Sequence, residues 1–481
     1  MPLKYAICLT LILFSRYGVG QNMQILYDFD RLPQTLMLNP GSEIDFDMHF
    51  GVPLLSNLNF QFGASNAGVS YNSIIREANS FNEVLTNLYA QNPSSSDVYM
   101  FHQQWEVFNM GLRIRDPRYY LSFGMYQEAN GFGRHPEEIM DLFFKGNDQD
   151  NDGIPETDDP FRIGELNALG ELIGVWHVGV NKTVNDRLTL GGRLKLYSGV
   201  LSIQTKSNQG FYSLSQIPFG FEHLFRSFDV GISSSGLINN DGTRVDSGPK
   251  ELLSSLLFMG GNYGLGIDFG VTLRTTQDIT ITGSIRDLGF VNFANQVTTY
   301  EIKKDFAIED VPFSPPAGGE VDYWNDLWTG YYDAGLLEDK LDTVSSSYTQ
   351  IRPVKLNGSI KKTFSRGNKN TPVFSNDWCD SGKSGDKTLT SEYGLQLYSE
   401  FRPETVLWAL TGFYSREFIK GLNAKFTYTV DRFSFYNIGI GLSARINQFN
   451  LFVAADNLLA LPQVRDSNYQ SIQLGMSVII K

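Results

Sequence analysis

The stretch GLGIDFGVTLR, residues 264–274, constrains the fold more than any other feature of this chain. Leu265, Ile267, Phe269, Val271 and Leu273 fall on one side of an extended backbone, and Asp268, Thr272 and Arg274 fall on the other. Successive side chains of a strand point to opposite faces, so a period of two marks a sheet with one apolar face. The pattern recurs. In 188–196, Leu188, Leu190, Leu194 and Leu196 oppose Thr189, Arg193 and Lys195. In 279–286, Ile279, Ile281 and Ile285 oppose Thr280, Thr282, Ser284 and Arg286, and in 472–480 Ile472, Leu474, Met476, Val478 and Ile480 share a face. Leu58, Phe60, Phe62 and Ala64 do the same against Asn57, Asn59 and Gln61.

A soluble sandwich hides such a face in a core, whereas a membrane barrel turns it to lipid. The barrel is favoured on three grounds. Strands reach about ten residues, the length a tilted membrane strand needs. Short turns at 116–118, 275–278 and 447–448 alternate with long connections at 127–170 and 291–349, as turns at one barrel end and loops at the other require. Finally, Arg113, Arg193, Lys195, Asp268, Arg274 and Arg445 occupy the non-apolar face, where a polar lumen would hold them. Direct counting gives about fifteen strands; closure favours an even number, about fourteen. The surplus strand falls in 43–66 or 198–261.

Residues 1–20 read as a secretory signal: Lys4, an apolar run from Tyr5 to Phe14, and the small residues Gly18-Val19-Gly20. The run is too short to span a bilayer as a helix. Removal of this segment takes Lys4 and Arg16 and no acid, so the formal charge moves from −13 to −15. An acidic exported chain without a basic cluster is not a nucleic-acid binder. Cys8 leaves with the signal, so Cys379 has no partner for an internal disulfide.

Residues 21–42 do not alternate. Pro33, Pro40 and the apolar Leu32, Leu36, Met37 and Leu38 suit a plug inside the lumen, a periplasmic tail being the alternative. The barrel proper is expected over 43–481. Residues 75–91 and 136–145 read as short helices at loop positions, and 364–390 as a flexible polar insertion.

The elements NPG after an LPQ-containing leader, GVPLLSNLNFQFGASNAGVSYNSI, NDRLTLGGRLKLYSG, YGLGIDFGVTLR followed by ITGSIRDLGFVNF, and YNIGIGLSARINQFNLFVAADNLL together resemble a Bacteroidota outer-membrane β-barrel family of uncharacterised function. That family is distantly similar to the PorV/FadL-like barrels and to the PorP/SprF barrels of type IX secretion. The resemblance implies an outer-membrane location and supplies no catalytic residues. The chain departs from such barrels in ending Ile480-Lys481 rather than on an aromatic residue.

The acidic stretch 147–159 is the clearest ligand motif. Counting Asp148 as position one puts Asp150 at three, Asp152 at five, Gly153 at six, Ile154 at seven, Glu156 at nine and Asp159 at twelve. Ca²⁺ takes six to eight oxygens, and this spacing wraps carboxylates and the Ile154 carbonyl around one point. The expected metal ligands are therefore Asp148, Asp150, Asp152, Ile154, Glu156 and Asp159. The ion would be a structural Ca²⁺ with a dissociation constant of about 10⁻⁴–10⁻³ M; a solvated acidic turn is the alternative. No GxSxG, HExxH or CxxC is present, and the histidines (His49, His102, His135, His177, His223) show no ligand spacing and read as solvated or interfacial. The aromatic run Tyr323, Trp324, Trp328, Tyr331 and Tyr332 reads as a recognition surface, a lid or a girdle.

The sequence thus predicts an all-β transmembrane antiparallel barrel, monomeric, not an enzyme, with outer-membrane lipid around it. Its function is passage of a small or apolar solute. The alternative is a non-transporting scaffold for secretion-system or surface-protein partners.

Overall fold

A computed structural model describes residues 23–29, 31–65, 97–134, 160–164, 167–218, 220–237, 261–309, 341–366, 389–402, 405–419, 421–431, 433–458 and 467–480, with a few isolated positions between them. Apart from one short 3₁₀ turn (Pro33–Met37), the extended elements are strands: β1 (Met48–Gly51), β2 (Leu58–Ala64), β3 (Val98–Arg113), β4 (Tyr119–Arg134), β5 (Phe161–Arg162), β6 (Asn167–Asn185), β7 (Leu188–Ile217), β8 (Gly220–Ser235), β9 (Asn262–Arg274), β10 (Ile279–Phe293) and β11 (Val297–Lys303). The series continues with β12 (Phe306–Glu309), β13 (Asp342–Val344), β14 (Tyr348–Ile351), β15 (Val354–Arg366), β16 (Leu389–Arg402), β17 (Thr405–Ile419), β18 (Leu422–Val430), β19 (Asn437–Ile446), β20 (Phe449–Asp456) and β21 (Tyr469–Ile480).

The wall runs β3-β4-β6-β7-β9-β10-β15-β16-β17-β18-β19-β20-β21, antiparallel throughout. β1 and β2 are two halves of one further wall strand. Each pairs with β21 on one side and β3 on the other, which closes a 14-strand barrel. Closure leaves no free edge, so every wall strand has a ladder partner on both sides without help from water. The expected count of about fourteen is met, and direct counting gives one strand too many where the ladder is irregular. Residues 52–57 leave it between β1 and β2, with Leu54 at φ 64. The outer half of β7 leaves the ring to form a long hairpin with β8, which is flanked by β11 and β12.

Two boundaries need correction. Residues 127–134 and 167–170, read as loop, are strand in β4 and β6, and 291–349 contains the end of β10 together with β11, β12, β13 and the first residues of β14. Ile279, at the start of β10, pairs with Lys362 near the end of β15. The strands that residues 367–388 connect therefore meet at the short-turn end of the barrel, opposite the long connections. The short turn between β3 and β4 is tied by Asp116, which accepts from Arg118 Nη2 at 2.7 Å and from the Arg118 backbone N–H at 3.1 Å.

The outer face is apolar and uncovered. Leu194 is 64 % exposed and Leu265 59 %, while their strand neighbours Arg193, Lys195 and Asp268 are buried on the inner face. A closed barrel with this polarity is stable in hydrocarbon, where the outward leucines need no cover.

Residues 23–29 and 31–42 lie inside the ring. Wall side chains from widely separated strands reach their backbone. Lys425 on β18 and Gln396 on β16 donate to the Tyr27 carbonyl, the latter at 2.8 Å. Asn181 on β6 donates to the carbonyls of Pro40 and Ser42, both at 2.8 Å, and Ser284 on β10 to that of Leu38 at 2.7 Å. An irregular backbone cannot satisfy its own polar groups, so the lumen wall supplies partners. Met23, Ile25, Leu26, Tyr27, Phe29, Leu32 and Leu38 form a buried cluster with Phe452 and Ala454 of β20. The NPG triplet explains itself here. Asn39-Pro40-Gly41 presses against Gly191 of β7 and Gly270 of β9, and a Cβ at Gly41, Gly191 or Gly270 would collide with the facing chain. Only glycine permits so close an approach of backbones.

Candidate functional site

The lumen is filled at three levels. Nearest the short-turn end lies the segment 23–42. It is held through its backbone, as above, and through side chains: Arg31 pairs with Glu417 at 2.8 Å, Ser359 donates to Asp28, and Gln34 Nε2 donates to the Ser56 carbonyl at 2.9 Å.

Above it stands an ion-pair lattice. Lys195 Nζ lies 2.9 Å from Asp268 and 2.6 Å from Asp287; Lys355 Nζ lies 3.1 Å from Asp287 and 3.4 Å from Glu128. Arg352 joins Glu128 at 3.1 Å and also Glu171, which accepts from Asn130 at 2.7 Å. Arg193 closes the lattice against Asp268 at 3.3 Å and donates to the carbonyls of Leu36 and Met37. One side chain thus ties lattice to lumenal segment. β4 and β15 meet across the lumen in this lattice, although β6, β7, β9 and β10 stand between them in the wall.

The lattice depends on a β-bulge. β10 pairs in register with β9 up to Ile285, and the register shifts before Leu288. Asp287 takes φ 62 at the shift, so Arg286 and Asp287 both turn inward. The Asp287 N–H donates to Asp268 at 2.8 Å, tying the bulge to its facing strand. Beyond the shift Leu288 and Phe290 face out, while Val291 and Phe293 face in. A bulge adds one residue to one strand and so inverts the alternation beyond it.

Two apolar clusters line the lumen. Towards the long-loop end Val98 and Met100 of β3, Phe132 of β4, Leu407 of β17, Phe433 and Tyr469 form one, beside the buried Glu400–Arg402 pair, and Phe433 stacks on Tyr469 with ring centroids 5.5 Å apart. Met37, Tyr126, Ile173, Val175, Tyr197, Val291, Phe293 and Val297 form a second, which begins at the lumenal segment.

The residues expected to bind Ca²⁺, namely Asp148, Asp150, Asp152, Ile154, Glu156 and Asp159, lie outside the described residues. So do the aromatic run 323–332, Cys379, His135 and nearly all of the two short helices. Among the described residues no group of three or more His, Cys, Asp or Glu is placed to hold a metal ion. The histidine expectation is corrected: His49, His102, His177 and His223 are buried, not solvated. His49 Nδ1 lies 2.6 Å from the Tyr120 hydroxyl and His102 Nδ1 lies 2.6 Å from Asn130 Oδ1. Their inward phase was visible, since each alternates with an outward residue. Missing was any sign that the lumen is packed rather than filled with water. Arg193, Lys195 and Asp268 face inward as expected, and the structure adds Glu128, Glu171, Asp287, Arg352 and Lys355 as their partners.

The profile of DUF5723, described as a family of unknown function, matches residues 40–456. The chain belongs to the DUF5723 family. The match begins at Pro40 in the NPG triplet, so the DUF5723 region takes in the glycine contact between lumenal segment and wall as well as the barrel. No curated protein matches the chain. Among solved structures, the chain is similar to a Pseudomonas aeruginosa FadL homologue at 9 % identity, with 97 % of each chain covered and a TM-score of 0.42. It is also similar to the Ralstonia pickettii toluene transporter TbuX, at 11 % identity, 97 % of each chain and a TM-score of 0.40. The Pseudomonas putida toluene transporter TodX matches at 9 % identity over 96 % of each chain, with a TM-score of 0.36.

Proposed function

We propose that this DUF5723 barrel lies in the outer membrane and passes a small solute through its lumen, with residues 23–42 as a displaceable plug. The observation that carries this reading is how the plug is held. Wall side chains bond its carbonyls and side chains, while the barrel strands take their ladder partners from one another and not from it. A segment held this way can shift without breaking the barrel ladder. The apolar clusters around Phe433, Tyr469 and Phe293 favour a neutral or apolar solute, because a bare ion passing them loses hydration that they do not repay.

The test is flux through the full-length protein in liposomes, beside a variant with a loosened plug, Asn181→Ala with Gln396→Ala. Outer-membrane fractionation and heat-modifiable gel mobility check location and assembly. Faster entry of small neutral solutes through the loosened variant is expected. An assembled barrel that passes nothing in either form would move the protein to the scaffold reading, as an accessory of a secretion or surface complex.

A further inference from the structure

The lattice carboxylates Glu128, Glu171, Asp268 and Asp287 are all paired; several amides on the opposite side, on β2, β3 and β21, are not. Asn59 stands in register with Gln104 of β3 and with Gln473 of β21, forming one row on the lumen face. All three side chains are buried. Both amide atoms of Asn59, both of Gln473 and the Nε2 of Gln104 have no hydrogen-bond partner. Asn57, one step along the same face, also has both amide atoms unpartnered. The row continues in small residues, Ala454 and then Gly441, over which the plug lays Ile25 and Phe29. Buried bare amides leave their bonding capacity unused, and a polar occupant would restore it.

Charge decides which occupant. The row itself is neutral. The charges flanking it in register are engaged, Glu128 by Arg352 and Lys355 and Lys425 by the Tyr27 carbonyl. Of the nearby carboxylates, Glu106 is bonded by Ser56 and Asn109, and Asp456, one step along β20 from Ala454, has no hydrogen-bond partner among the described residues. A carboxylate would find no free cation there, an ammonium would leave the amide N–H groups without acceptors, and a hydrocarbon would leave the amides as they are. A hydroxyl both donates and accepts, which matches a set that mixes amide N–H and C=O groups. Towards the long-loop end, the stacked pair Phe433 and Tyr469 offers flat apolar faces to C–H groups.

We propose that Asn59, Gln104 and Gln473, with Asn57, form a binding row for a neutral polyhydroxylated solute, a sugar or polyol, uncovered when the plug shifts. This rests on the transport reading and names its substrate class. The experiment is osmotic swelling of liposomes holding the full-length chain, with xylitol, glucose and sodium gluconate as probes and toluene uptake measured beside them. Xylitol and glucose are expected to enter faster than gluconate and faster than into protein-free liposomes. Asn59→Leu with Gln104→Leu and Gln473→Leu should cut polyol entry about tenfold while leaving toluene uptake unchanged. The same variant should also melt at a higher temperature than wild type, because it removes unpaired polar atoms; a merely structural role predicts the reverse. Should the triple variant not assemble, Gln473→Leu alone gives the same comparison with about a threefold loss. Equal polyol entry in variant and wild type, or entry of toluene alone, overturns the inference and leaves transport standing. Entry of none of the probes, even with the plug loosened by Asn181→Ala and Gln396→Ala, removes both.

Discussion

The two sides of the lumen solve the same problem at different cost. On the side from β4 round to β15, charged groups face inward in numbers, and each carboxylate of the lattice meets two or more cations or amides at bonding distance. On the side of β2, β3 and β21, neutral amides outnumber the one carboxylate Glu106, which Ser56 and Asn109 bond, and several amides remain unpaired. The difference follows from desolvation. An unpaired buried charge costs several kcal/mol, whereas an unpaired amide atom costs about 1–3 kcal/mol. Charge therefore has to be matched in the resting barrel, while amides can wait for an occupant. The sharpest way to break this contrast is Asp268→Ala. Asp268 is completely buried and serves Arg193, Lys195 and the Asp287 N–H together. Its removal takes the paired carboxylate from Arg193, leaves Lys195 to Asp287 alone, and should destabilise the barrel by about 3–5 kcal/mol, read as a fall in urea midpoint in lipid or detergent.

Arg193→Met should follow in size, at about 2–3 kcal/mol, but with a second signature. Arg193 holds both Asp268 and the plug carbonyls of Leu36 and Met37. Its loss should free that part of the plug. A cysteine placed by Leu36→Cys, in a chain whose Cys379 is replaced by Ser, should react with a maleimide about tenfold faster when Arg193 is Met. Unchanged labelling would confine Arg193 to the lattice and leave the plug anchored by Asn181 and the glycine contact.

How much of this could be read from the residues depends on periodicity. Strict alternation alone places Arg193, Lys195 and Asp268 inward and Leu194, Leu265 and Ile267 outward, because a strand has no other way to arrange them. Asp287 escapes for the opposite reason. The bulge at Arg286–Asp287 puts two successive residues on one face, and alternation read through it assigns everything after it to the wrong side. Arg352 lies between β14 and β15, outside any alternating run, so its place in the lattice has no signature in the sequence. The plug's apolar residues were legible. Its docking was not, since the donors come from strands far apart in the chain, and only the NPG triplet hinted at a tight approach.

The amide side should behave in reverse. Asn59→Leu removes two unpaired polar atoms from a buried position. It should be neutral or stabilising by up to about 1 kcal/mol, read as an unchanged or raised melting temperature. A loss of about 2 kcal/mol or more would mean that Asn59 is paired in the resting barrel, and the contrast between the two sides would collapse.

The smallest effect belongs to an ion pair that water reaches. Asp116 and Arg118, in the turn between β3 and β4, make bonds as short as those of the lattice, at 2.7 Å, yet their side chains are 36 % and 62 % exposed. The Arg118 guanidinium beside it, and the Arg118 N–H, hold the Asp116 carboxyl at about 2, below its ordinary value of 3.8. A carboxylate depressed on folding contributes stability that is fully present above its unfolded value and is lost as pH falls through the folded one. The difference in urea midpoint between wild type and Asp116→Asn should therefore be small and flat from pH 8 down to about pH 4. It should shrink towards nothing as the pH approaches 2, and shrink at every pH in high salt. If Asp116→Asn instead matched the loss from Asp268→Ala, bond length rather than exclusion of water would govern these pairs. The separation of the lumen into a charged side and an amide side on grounds of desolvation would then fail with it.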